Sequence, residues 1–146
     1  MAHREEQIIE RIGELLEANS DLRAQVYLHR VLSLSEYEGE LPAVSVAFGR
    51  DDPLEDNFEF FDSLLTVRFV TLVAGTEEAD VRRALSELRR QIHVSLQADP
   101  TLGLSFVSDC RDGGADEPSI VQAEQLYGER QILWRVRYRM NRTDPE

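Results

Sequence analysis

Three arginines at alternate positions, Arg135, Arg137 and Arg139, form the sharpest chemical pattern in this chain. A guanidinium group is permanently charged and planar, and it binds carboxylates or phosphates through paired hydrogen bonds. Alternation along a strand places all three on one face, where they repel one another unless acids answer them. Three uses fit such a row: a solvent-facing surface with acids on neighbouring strands, an interface pairing with carboxylates of another subunit, or contact with nucleic acid. The second grouping is Asp51, Asp52, Glu55 and Asp56. Four carboxylates in six residues could hold a divalent cation, but they lack the calcium-loop spacing and its glycine. They read instead as a solvated acidic loop, with contact to a protein as the other use. These seven residues are the candidate interface set.

Other reactive residue types stand alone. Cys110 lies between Asp109 and Arg111, with no base beside it, and reads as an inert or partly buried thiol. His3, His29 and His93 are far apart, and no paired His or Cys spacing supports zinc. Gly113-Gly114 is not a phosphate loop, because the chain contains no Lys to complete one. No nucleophile, acid and base group together. The expectation is therefore a protein without enzymatic activity, cofactor or metal.

The elements that must position the arginines are legible from periodicity. From Ile132 to Met140 the even positions are apolar or aromatic, so residues 131–140 form a strand with Trp134 and Tyr138 on its core face. Residues 5–18 read as an amphipathic helix on Ile8, Ile9, Ile12, Leu15 and Leu16, stopped near Asn19-Ser20. A helix over 77–97 carries Val81, Leu85, Leu88, Ile92 and Leu96, with Thr76 as N-cap and Asp99-Pro100 as terminator. Strands are expected at 24–34, 43–48, 60–73, 102–110 and 119–126. Val26, Leu28 and Leu32 share a face in the first. The third is apolar on both faces and should be central. Residues 49–57 read as an exposed turn or as the acidic tip of a long strand pair, 109–118 as a loop and Gly128 as a turn, with a polar tail at 141–146. The fold class is α+β: a single domain in the order α-β-β-β-α-β-β-β, with two helices on one face of a mostly antiparallel sheet.

Composition narrows the partners. The 146 residues suffice for one substantial core, and the net charge is −12. All 16 basic residues are Arg. Residues 41–80 carry two Arg against nine acids, whereas residues 129–146 carry five Arg against three. An acidic body with a basic last strand is a poor tight binder of nucleic acid and a reasonable self-associating surface. One cysteine allows no internal disulfide, so a reducing compartment is expected. The N-terminus has no apolar signal-peptide core, and no apolar run approaches a membrane span, so the reading is a soluble protein made in a cytoplasm.

In their order along the chain, several segments resemble the tail terminator (tail completion) proteins of long-tailed bacteriophages, the family of the lambda minor tail protein U. An amphipathic N-terminal helix leads to Leu41-Pro42-Ala43-Val44-Ser45-Val46. An acidic loop and a long strand follow. A helix carrying Leu85, Leu88, Ile92-His93 and Leu96 closes in Asp99-Pro100, then Leu102-Gly103. The chain finishes in Trp134-Arg135-Val136-Arg137-Tyr138-Arg139. The resemblance implies a non-enzymatic virion protein, made in the bacterial host cytoplasm and placed at the head-proximal end of the tail. Such proteins form a six-membered ring on a finished tail tube, halt its polymerisation and meet the head-completion (neck) proteins. The implied partners are other copies of the chain, the tail tube protein and a neck protein. DNA only passes through the lumen, and no membrane is involved. A neck protein of similar size, or a small-molecule-binding or regulatory α+β module, remains the alternative.

Overall fold

The computed structural model describes residues 3–37, 39–56 and 60–141. Its elements, in chain order, are α1 (Arg4–Ala18), β1 (Gln25–Leu28), β2 (Ala43–Asp56), β3 (Phe60–Gly75), α2 (Glu78–Gln97), β4 (Val107–Ala115), β5 (Ser119–Gln122) and β6 (Leu126–Asn141). The six strands make one sheet in the order β1-β2-β3-β6-β4, with β5 also on β6. Only β1 and β2 pair in parallel; every other pair is antiparallel. This is the expected α+β class and element order.

Both helices lie on one face of the sheet, and apolar burial holds them there. Ile8, Ile9, Ile12 and Leu16 of α1 are completely or almost completely buried, as are Val81, Leu85, Ile92 and Leu96 of α2. Each such side chain contributes about 1.5–3 kcal/mol gross. They close over the even face of β6, where Ile132, Trp134, Val136, Tyr138 and Met140 are buried, and over Leu65, Val67, Phe69 and Val73 of β3. β3 lies between β2 and β6, the central position its two apolar faces implied.

Several expected boundaries move. The first strand stops at Leu28, and His29 turns the chain at φ 60°. Val26 and Leu28 pack on the main core, but Leu32 belongs to a second cluster with Ala43, Val70 and Leu72. Val70 and Leu72 alternate with the core-facing residues of β3, so the chain changes faces between Leu28 and Leu32. The parallel β1–β2 pair demands this, because such a pair cannot be joined by a hairpin. Of the two readings for 49–57, the long strand pair holds through Asp56, so β2 extends beyond the expected 43–48. Asp51, Asp52 and Pro53 pair with Leu65, Leu64 and Ser63, and Asp56 pairs with Phe61, around two irregularities in register. A long β3 keeps its neighbour hydrogen-bonded further than the acidic composition implied.

The fourth strand also shifts, from the expected 102–110 to Val107–Ala115. The Gly113-Gly114 step sits in a bulge of this strand, with Gly114 at φ 100° and its N–H donated to Asp112 Oδ1 at 2.7 Å. Gly128 is not a turn. It pairs with Val73 and Ile120 within β6, and a Cβ there would lie 2.5 Å from Val81 of α2. β5 is accordingly shorter than expected and β6 longer. Thr76 is not the cap of α2, because β3 stays paired through Gly75. Glu77 takes that place without a side-chain cap bond. β6 runs through Asn141, so the polar tail starts later than expected; residues 142–146 lie outside the described set.

Candidate interaction surface on the outer sheet face

The face of the sheet turned away from the helices has two halves. Toward one end, Leu32 and the partly buried Leu34, Tyr37 and Leu41 cover Ala43, Val70 and Leu72. Tyr37 fixes this cover: its hydroxyl donates to the Glu40 carbonyl at 2.7 Å and meets the Tyr27 hydroxyl at 3.0 Å. Burial and the Tyr27 contact push the Tyr37 phenol up to about 12. Toward the other end no segment of the described residues covers the sheet, and there β6 presents its arginines.

Register brings the row its neighbours. Arg139 stands opposite Asp62 of β3, Arg137 opposite Leu64 and Asp109, and Arg135 opposite Thr66 and Arg111. Asp62 is only 6% exposed, so its carboxylate requires partners. Arg137 supplies them through Nη2 at 3.0 Å and Nε at 3.3 Å, both to Oδ2, while Arg139 Nε reaches Oδ1 at 3.2 Å. Arg139 also stacks over Phe60, its guanidinium carbon 3.6 Å from the ring centroid. Arg4 of α1 donates to the Arg139 carbonyl. Arg135 and Arg111 differ from these. Both are exposed, they face each other across the β4–β6 pair, and neither forms an ion pair among the described residues. The result is a groove of about 640 Å³, lined by the four arginines with Asp62, Asp109, Leu54 and Leu64.

Asp51 and Asp52 of the acidic set do not share a face. Strand alternation sends Asp51 and Asp52 to opposite faces. Asp52 is partly exposed and pairs with Arg50 at 2.5 Å. Asp51 turns to the helix side, where it accepts from the hydroxyls of Ser63 and Tyr138. Glu5 of α1 completes this group, with Oε1 3.5 Å from the Tyr138 hydroxyl. Its hydrogen bond with Asp51, reinforced by burial and by the Asp51 charge, pushes the Glu5 carboxyl up to about 7. Burial, then the contact with Asp51, also raises the Tyr138 phenol. Glu55 and Asp56 lie on the strand extension, and their side chains fall outside the described residues.

The remaining candidates are structural. Cys110 is buried, and burial raises its thiol pKa. His93 is exposed on α2; its Nδ1 lies 3.6 Å from Asp112 and its ring meets Trp134 edge to face. Arg89 reaches both oxygens of the same Asp112, at 3.0 and 3.2 Å, and so ties α2 to β4. Burial opposes ionisation of Asp112, but the Gly114 N–H, Arg89 and His93 outweigh it and lower its pKa. Among the described residues no group of three or more His, Cys, Asp or Glu is placed to hold a metal ion.

Reading the sequence alone missed Asp62, Arg111, Phe60 and the Glu5–Asp51–Tyr138 group. Asp62 carried a weak signal, as a lone acid at the start of an otherwise apolar strand. Its pairing with Arg137 and Arg139 depends on cross-strand register, which periodicity does not contain. No family model and no curated protein matches this chain.

Proposed function

We propose that the chain is a structural assembly protein. In this reading it is the subunit of a ring that caps a long-tailed phage tail tube and joins it to neck proteins. The observation that carries this is the half of the outer sheet face over which no segment of the described residues lies. Arg111 and Arg135 are exposed there without an ion-pair partner among the described residues, beside Arg137 and Arg139 already organised by Asp62. Like charges gathered on a rigid sheet are stabilised by carboxylates from a partner, and such complementarity fixes orientation and register. A head-to-tail contact between unlike surfaces closes into a ring when its rotation closes. The phage setting itself comes from the order of sequence features.

Native mass spectrometry of the purified protein, alone and with tail-tube ends, tests the proposal. A closed ring, expected with six subunits, supports it. A chain that stays monomeric in both conditions overturns it. The groove volume of about 640 Å³ also supports a second reading, a site for a small polyanion. A stoichiometric anionic ligand retained on a monomer would favour that reading.

A further inference from the structure

The geometry points to the occupant of the arginine face: the exposed acidic side of α1 from a second copy of this chain. This rests on the ring reading above and names the two surfaces that meet.

Glu6, Glu10, Glu14 and Glu17 are all exposed on α1. At about 100° per residue they fall within roughly 80° of arc, away from the stripe of Ile8, Ile9, Ile12 and Leu16. Among them only Glu14 has an ion pair among the described residues, with Arg11 at 3.0 Å. The charges of α2 are different. Arg82, Arg83 and Arg90 pair with Glu78, Asp80 and Glu87 along their own helix. α1 therefore presents a single-sign stripe, whereas α2 answers its own charges.

The spacings of the two surfaces agree. Carboxylates four residues apart on a helix recur about every 6 Å, and arginines two residues apart on a strand about every 6.7 Å. Three successive acids can thus meet three successive arginines with the helix lying along β6. Arg111, one strand over, widens the basic track. Asp51 and Asp52 of β2 are less free for this role, since Asp51 is turned inward and Asp52 is held by Arg50. α1 packs on the helix face and the arginines lie on the opposite face, so the acids of α1 cannot reach the row of their own subunit. A contact between these two unlike surfaces, repeated head to tail, is the type that closes rings.

The test uses charge exchange between full-length chains. One variant carries Glu10→Arg and Glu17→Arg; the other carries Arg111→Glu and Arg135→Glu. All four positions are exposed, and circular dichroism verifies the fold of each variant. Association is read by sedimentation velocity and native mass spectrometry at low and moderate salt. Each variant alone is expected to associate at least ~10-fold more weakly than the natural chain, the loss falling on the charge-complementary contact. An equimolar mixture is expected to recover association, because each chain then offers the surface the other lacks. A neutral variant, Glu10→Gln with Glu17→Gln, should lie between. Natural-strength association of the Glu10→Arg/Glu17→Arg variant alone, or no recovery on mixing, overturns the α1 assignment and leaves the ring reading standing. Failure of the unaltered chain to associate, alone or on tube ends, overturns both.

Discussion

The two halves of the outer sheet face share strands β3 and β6 but are completed in different ways. One half carries Val70, Leu72 and Ala43 and is covered by the chain's own crossover, through Leu32 and its neighbours. The other carries Arg135, Arg137 and Arg139, with one buried acid among them and no crossover above among the described residues. An apolar surface must be covered for the fold to be stable, so the chain covers it itself. A guanidinium surface is tolerated by water and can stay open until a partner arrives. The difference teaches where stability and assembly reside on the same sheet.

That contrast can be broken most strongly in the covered half. Leu72→Ala removes a completely buried side chain and should cost about 2–5 kcal/mol in urea unfolding. Asp62→Asn comes next. It replaces the carboxylate that Arg137 and Arg139 share with a neutral amide and should cost about 1–3 kcal/mol in the same measurement. Arg137 and Arg139 therefore serve the fold as well as the surface, which makes reversal of the whole row a poor probe of assembly alone.

The Glu5–Asp51 group sharpens the comparison, because it is an acid cluster on the helix side with no ion pair to an arginine among the described residues. The folded Glu5 pKa of about 7 lies above its ordinary value of 4.5. In that interval the folded chain binds more protons than the unfolded one, so stability falls as pH rises. The contribution is fully present below about 4.5 and lost as pH rises through about 7. Glu5→Gln should raise stability at pH 8 by about 1–2 kcal/mol, discounted for solvent screening, and change little near pH 4. Paired urea titrations at the two pH values decide it. The smallest stability effect belongs to Arg111→Glu with Arg135→Glu, within about 0.5 kcal/mol on thermal unfolding, because both side chains are exposed. Their effect should appear in association instead.

Periodicity alone determined the two helices, the alternation of β6 and its buried Trp134 and Tyr138, the central place of β3 and the α+β class. Each of these is a local pattern of apolar and polar residues, with a period set by backbone geometry. The arginine row was equally legible, since alternation is enough to place three side chains on one face. Only the tertiary structure decided what surrounds that row. Register set Asp62 between Arg137 and Arg139 and Arg111 across from Arg135. A change of face after Leu28 turned one expected strand into the cover of the other half. The pairing of β2 through Asp56 chose the long strand pair over a turn and sent Asp51 inward to Glu5 and Tyr138. Side-chain period is written along the chain, but register and crossover depend on residues far apart in sequence, whose meeting no single segment encodes.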